Sequence, residues 1–317
     1  MRLLLVGDPH AVVAEIADCE RLIDCVCDAV REGEADAVVF MGDLYHQHAI
    51  VHLSVFGFWK RAFQRIQEAG AMVYSLVGNH DQAQAGGEEH ALEAHRQDIC
   101  VIDSPTMICD GVGAIPYCHG QEEFDRSFAA LLDKAGERGV GLCLTHQSFQ
   151  GARFEAGFYD PSGLMPPGCQ IISGHIHSPQ TTGNVRYIGA PRWRTLADAG
   201  VDERHLLLLE QGQVIREFPT SAFCRPIRVF HVKEQSDLAK LPEGDGWRVE
   251  IEGNAALVAE AEKLCATKGL RSRAQVTEKP RFFSRRPNIE EFLNSAVWVS
   301  STPPAELLKM WVARVPQ

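Results

Sequence analysis

The sequence predicts an α/β fold in which two β-sheets pack together with helices outside. A smaller α/β domain and a C-terminal helical pair follow. Three observations predict this. Over residues 1–76, short apolar runs alternate with amphipathic stretches in a β-α-β-α-β order, which implies parallel strands joined by helical crossovers. Between residues 99 and 218 come further short strand-like runs, too many for one layer. The β-α-β-α-β pattern then restarts near residue 221. A chain of 317 residues has room for this, since domains average roughly 150 residues.

Each element has a local reason. Arg2–Val6 is a continuous aliphatic run stopped by Gly7, as in a buried strand. Cys19–Glu32 carries Leu22, Ile23, Val26 and Val30 at helical spacing, and Gly33 supplies a C-terminal stop. Ala37–Met41 is the second strand, and Ile50–Glu68 is a long helix with Val51, Val55, Phe58, Trp59, Phe63 and Ile66 on its apolar side. Ala71–Leu76 is the third strand. Strands then follow at Ile99–Ile102, Met107–Cys109 and Gly113–Pro116, a helix at Glu122–Glu137, and strands at Gly139–Leu144, Cys169–Ser173 and Asn184–Ile188. Arg204–Glu210 and Gln213–Phe218 flank Gln211-Gly212 and read as a hairpin. The second domain runs through Ile227–Val232, Ser236–Leu241, Trp247–Glu252, Ala255–Lys268 and Arg271–Val276. Asn288–Val299 and Pro303–Val315 form the terminal pair. The expected division is 1–220, 221–285 and 286–317.

Composition excludes several classes. At 45% hydrophobic and 23% charged, the chain is of ordinary globular type. No run reaches the length of a membrane span, and the opening Met1–Asp8 meets an acid too early for a signal peptide. Ten scattered cysteines without a CxxC pair lead us to expect a reduced, cytoplasmic chain with neither a zinc knuckle nor a disulfide framework. A net charge of −11 argues against holding nucleic acid by overall electrostatics. The balance is uneven, however: residues 1–220 carry 16 basic and 30 acidic side chains, and residues 221–317 carry 15 and 12. Lys268, Arg271, Arg273, Lys279, Arg281, Arg285 and Arg286 form a basic segment. It reads either as a solvated face or as a DNA phosphate contact, with Phe282 and Phe283 available to stack on bases.

Five motifs each place metal-type ligands directly after a predicted strand: Asp8-Pro9-His10, Gly42-Asp43-Leu44-Tyr45-His46, Gly78-Asn79-His80-Asp81, Thr145-His146 and Gly174-His175-Ile176-His177. In an open α/β sheet, ligands bind beyond the carboxyl ends of the strands, so five such loops converge. Six of the 13 histidines fall in them. The glycines before Asp8, Asp43, Asn79 and His175 are expected to let the backbone turn sharply at the strand ends. His48, His52, His90, His95, His119, His205 and His231 lack this relation and read as surface or structural. Nitrogen and oxygen ligands without thiolate suit Mn²⁺, Fe or Zn²⁺ in a binuclear site. Two such ions can clamp a phosphate and lower the pKa of a shared water. One carboxylate must bridge them, and Asp43 is the candidate.

In this order the motifs resemble the calcineurin-like metallophosphoesterase superfamily over residues 1 to about 218. The resemblance implies a pair of mixed sheets flanked by helices. It implies one metal on Asp8, His10, Asp43 and His177, and a second on Asp43, Asn79, His146 and His175, with Mn²⁺ the expected ion. His80 would lie beside the scissile phosphate, Asp81 would orient its ring, and His46 would help align the strand end.

Within the superfamily, Gly42-Asp43-Leu44-Tyr45-His46 is similar to the form found in SbcD-type DNA-repair exonucleases, whereas protein phosphatases have an Arg-containing sequence there. Gly174–Gln180 and Tyr187–Pro191 resemble compact bacterial or phage versions. The resemblance implies a DNA nuclease with a capping domain at 221–285. It also implies a homodimer through helix 50–68, where Phe56, Trp59 and Phe63 exceed what a single apolar face needs, and an SbcC-like ABC-type ATPase docked on the C-terminal helices. Two alternatives stay open: a small-molecule phosphodiesterase or phosphatase, and a non-catalytic scaffold that binds DNA ends.

Overall fold

Strand β1 (Arg2–Val6) is apolar at every position after Arg2 because it is covered on both faces. Leu3 and Leu5 face a second sheet, while Leu4 and Val6 face helices. The same division holds along β2 (Ala37–Phe40), where Ala37 and Val39 pack between the sheets and Val38 and Phe40 pack under helices. Continuous rather than alternating hydrophobicity is what a strand buried on both faces requires. The structure, a computed structural model, describes residues 1–277 apart from 85–88, 154–167, 195–197, 199–202 and 245. The expected helical pair within 286–317 lies outside the described residues, as do Lys279, Arg281, Phe282, Phe283, Arg285 and Arg286.

The first sheet continues through β3 (Met72–Leu76) and β4 (Cys100–Ile102). Strands β5 (Thr106–Cys109), β6 (Val112–Ile115), β7 (Leu142–Thr145), β8 (Gln170–Ser173), β9 (Gln180–Thr182) and β10 (Val185–Tyr187) build the second. The hairpin β11 (His205–Glu210) and β12 (Gln213–Pro219) returns to the first, giving the orders β12-β11-β1-β2-β3-β4 and β5-β6-β7-β8-β10-β9. Both sheets are mixed. β1 to β4 are parallel and β11 is antiparallel to β1; β6, β7, β8 and β10 are parallel with antiparallel edges at β5 and β9. The Gln211-Gly212 turn has positive φ at both positions, 50° and 75°, the two-residue form that matches strand twist. Strand β9 was not expected; it is a polar edge strand of three residues without an apolar run to announce it.

Helices α1 (Ile16–Gly33) and α2 (Leu53–Glu68) cover the first sheet, and α3 (Gln121–Ala135) covers the second. The aromatic excess on α2 is core rather than surface. Phe58, Trp59 and Phe63 are fully buried, Trp59 and Phe63 pack on Phe40, and Phe56 stacks on His95. The expectation that Trp59 and Phe63 are surplus to the apolar face is therefore corrected: both rings are used within one chain. The exposed apolar residues of this region are Ile50, Val51 and Leu53, at and just before the start of α2.

Beyond residue 227, β13 (Arg228–Val232), β14 (Trp247–Gly253) and β15 (Arg271–Val276) form a three-stranded parallel sheet with α4 (Ala255–Thr267). Val232, Val249, Ile251, Leu257, Val258 and Ala261 enclose a separate small core there. No helix among the described residues is long and apolar enough to cross a membrane.

Candidate metal centre

The seven expected ligands converge at one edge of the two sheets, directly past β1, β2, β3, β7 and β8. Asp8, His10, Asp43 and Asn79 come from the first sheet, and His146, His175 and His177 from the second. The loops hold unusual backbone: His10, Asp43 and His175 have φ of 46°, 52° and 72°. Left-handed backbone at a non-glycine residue costs on the order of 1–3 kcal/mol and gathers at functional sites.

The glycines before the ligands do a different job from the one expected. Of the four, only Gly42 has positive φ, at 112°. Gly7, Gly78 and Gly174 are needed for space. A Cβ on Gly78 would lie 2.2 Å from Asp43 Oδ1, one on Gly174 would lie 2.4 Å from Asp8 Oδ1, and one on Gly7 would strike the Gly189 carbonyl at 1.8 Å. The Asp8 and Asp43 carboxylates thus rest against bare backbone.

Asp43 is the common member of both predicted sets. Its Oδ2 lies 3.4 Å from His10 Nε2 and 3.2 Å from His146 Nε2. His10 Nε2 and His177 Nε2 face each other at 2.8 Å. Asn79 Oδ1 lies 3.1 Å from His146 Nε2 and 2.9 Å from His175 Nδ1. The ligand atoms of Asp8, His10 and His177 all fall within 4.8 Å of one another, and so do those of Asp8, Asp43 and His146.

Three features fit this donor set to cations. First, the fully buried Asp8 carboxylate has no hydrogen bond of regular geometry among the described residues; the His175 amide only approaches it, and His146 Nδ1 stands 3.7 Å from Oδ1. A buried carboxylate so placed is costly unless a cation pairs with it. Second, His146 Nδ1 donates to the Met41 carbonyl at 2.7 Å, which commits Nε2 to the cluster. Third, two imidazole nitrogens pointed at each other across 2.8 Å can share only one proton between them, whereas both can donate lone pairs to one ion.

The electrostatics follow from burial. Burial pushes the Asp8 carboxyl up to about 7, opposed by His146 and reinforced by Asp43. Burial also acts to raise Asp43, but His146 and His10 overcome it and hold that carboxylate below its usual range. Burial works against a charge on His146, yet Asp43 and Asp8 raise it to about 10. Burial, partly offset by Asp43, holds His10 well below the usual imidazole value. Burial lowers His177 to about 4, partly offset by Asp198 and Asp43.

Between pH 6 and 7 the protons to be displaced by a cation sit on Asp8 and His146, because His10 and His177 are already neutral there. Mn²⁺ affinity should therefore rise with pH between 6 and 8. Calorimetric titrations in buffers of different ionisation enthalpy should show proton release that is larger at pH 6 than at pH 8. Affinity that is flat over this range, with no protons released, would contradict the assignment.

His80 and His46 lie beside this cluster. The His80 amide donates to Asp43 Oδ1 at 2.8 Å, and its ring Nδ1 donates to the His46 carbonyl at 2.7 Å. The His46 ring lies parallel to the His80 ring at 5.5 Å, and the His10 ring meets both edge-on. The expected role of Asp81 is corrected. Its two oxygens accept the backbone amides of Tyr45 and Gly78, each at 3.0 Å, so it ties the two strand-end loops together while the His46 carbonyl orients His80.

Sequence reasoning missed several neighbours. Buried Arg192 and Arg204 grip the ligand loops: Arg192 donates to the Pro9 and His10 carbonyls, and Arg204 to those of His177 and Ala190. The Tyr117 ring lies 5.6 Å from that of His175, and His48 stacks on His80 at 4.4 Å. The only signal was the density of arginine at Arg192, Arg194 and Arg204 in an otherwise acidic half. Of the basic segment, Arg271 and Arg273 are exposed on β15, whereas Lys268 Nζ donates to the Leu241 carbonyl and pairs with Glu243.

A family profile described as calcineurin-like phosphoesterase matches residues 1–179. Exonuclease subunit 1 of Enterobacteria phage T4 is 26% identical over 236 residues, an alignment spanning 69% of this chain and 67% of that protein. Among solved structures, Yfce, a phosphoesterase from E. coli, aligns at 12% identity with a TM-score of 0.33, over 68% of this chain and 98% of that one.

Proposed function

The chain belongs to the calcineurin-like phosphoesterase family, and from that premise we propose that it is a binuclear-metal-dependent DNA nuclease that hydrolyses phosphodiester bonds, working as an exonuclease with Mn²⁺. The observation that carries the binuclear reading is one carboxylate oxygen, Asp43 Oδ2, shared between His10 and His146 at 3.4 and 3.2 Å. Asp8, His10, Asp43 and His177 would hold one ion, and Asp43, Asn79, His146 and His175 the other. When bound, such a pair supplies charge to clamp a phosphate and to lower the pKa of a shared water.

The rest is done by this chain's own groups. His80 Nδ1 is committed to the His46 carbonyl, so Nε2 is the atom that can hold a proton and pass it to a leaving oxygen. The His46 ring beside it and the Asp81 tie between loops keep that ring in place. Similarity to a phage exonuclease subunit supports DNA as the substrate. So does a cleft of about 440 Å³ on which the exposed Arg21, Arg225 and Arg271 stand beside Glu15 and Asp18. Guanidinium groups there suit backbone phosphates. In this reading the chain acts with DNA, pairs as a homodimer through the exposed Ile50, Val51 and Leu53, and works with an SbcC-like ATPase.

The test offers purified protein and Mn²⁺ to linear duplex DNA, single-stranded DNA and a chromogenic bis-ester, with and without chelator. We expect chelator-sensitive nucleotide release from DNA ends. Bis-ester turnover without DNA cleavage would select a small-molecule phosphodiesterase. End binding without any turnover would select a scaffold.

A further inference from the structure

We propose that Arg192 and Arg204 are positioning residues that set the geometry of one of the two metal positions, the one built on Asp8, His10 and His177. The inference rests on the binuclear reading above. Each arginine is buried, at 1% and 0% exposure. Arg192 Nε and Nη2 each donate at 3.1 Å, to the carbonyls of Pro9 and His10, while Nη1 pairs with Glu15 at 2.8 Å. Arg204 Nη1 donates to the carbonyls of His177 at 2.8 Å and Ala190 at 2.7 Å, while Nη2 binds Asp198 at 2.6 Å. Two planar forks thus fix the main chain at both histidines whose Nε2 atoms face each other.

The chemistry explains why these are arginines. A buried guanidinium paired with a carboxylate is a weak source of stability and is often matched by packed hydrophobes, so stability alone does not account for two buried arginines under one site. A guanidinium has five donors in a rigid fork, which lets one side chain hold two carbonyls and a carboxylate at once; an ammonium cannot span them in that geometry. His10 also needs holding, since its φ of 46° is unfavourable for a residue with a Cβ. The other set is braced differently. His146 is aimed by its own Nδ1 bond to Met41, and Asn79 Oδ1 ties His146 to His175.

The experiment measures Mn²⁺ binding to the full chain by calorimetry and electron paramagnetic resonance, for wild type, Arg192→Lys and Arg204→Lys. Wild type should bind two ions. Each variant should keep one ion at wild-type affinity and bind the other roughly 10–100-fold more weakly, the usual effect of losing a group that orients a ligand. A purely structural role would weaken both ions together, and that result overturns the proposal, as does wild-type affinity for both. Should the lysine variants fail to fold by circular dichroism, Glu15→Gln removes the carboxylate that anchors Arg192 from a partly exposed position. The same one-ion loss is expected of it, and an equal or absent effect overturns the proposal. A folded wild type that binds a single Mn²⁺ defeats the binuclear reading itself and this inference with it, a result separate from the variant outcomes.

Discussion

Asp43→Asn should lower Mn²⁺-dependent hydrolysis of linear duplex DNA by about a thousandfold or more, since each 1.36 kcal/mol is tenfold in rate and metal-borne charge stabilisation amounts to several. The substitution keeps the size and shape of the side chain. It also keeps an Oδ1 able to accept the His80 amide, now at 2.8 Å, so the loop stays in place. What it removes is the negative oxygen at 3.4 Å from His10 Nε2 and 3.2 Å from His146 Nε2. An amide cannot serve two cations as a carboxylate does, so bound Mn²⁺ should fall from two toward one. Far-UV circular dichroism should be unchanged, because β2 and its neighbours keep their burial. Full turnover in the folded variant would remove Asp43 from the site.

His80→Ala should separate chemistry from metal binding. Turnover should fall by about 10²–10⁴, the range for losing a positioned proton donor, while two Mn²⁺ still bind with wild-type affinity. The geometry contains its own rival. Ligand atoms of His10, His46 and His80 also lie within 4.8 Å of one another, so a role for His80 as a ligand is testable in the same experiment. If calorimetry shows an ion lost along with turnover, His80 is a ligand and not a proton donor. The Nδ1 bond to the His46 carbonyl leaves Nε2 able to take either role, so the metal titration of this variant decides between them.

Much of the fold was legible because the strands are buried on both faces. Arg2–Val6, Ala37–Met41 and Gly139–Leu144 carry unbroken apolar runs, and the structure places strands in each. The ends were less certain: α1 begins three residues before the expected start, and α2 three residues after. β9 was invisible because Gln180–Thr182 is a polar edge, where no apolar pattern marks pairing. The excess rings of α2 were misread for a related reason. A sequence shows how many apolar residues a helix has but not that Phe40, His95 and α1 surround it on several sides.

The site divides in the same way. Residue type and position after a strand were enough to predict that Asp8, His10, Asp43, Asn79, His146, His175 and His177 would come together, because a parallel sheet brings its carboxyl ends to one edge whatever the details of packing. That is what the sequence determined alone. The tertiary structure decided which groups steady them. Arg192 meets the Pro9 and His10 carbonyls across more than 180 positions of chain, and Asp81 turns from His80 to the amides of Tyr45 and Gly78. Gly78 and Gly174 prove to be gaps for carboxylates rather than pivots. The physical reason is that ligand chemistry is carried by the side chain and so is written in residue type. Orientation is carried by hydrogen bonds to backbone carbonyls and amides, which every residue possesses and which only folding brings within reach.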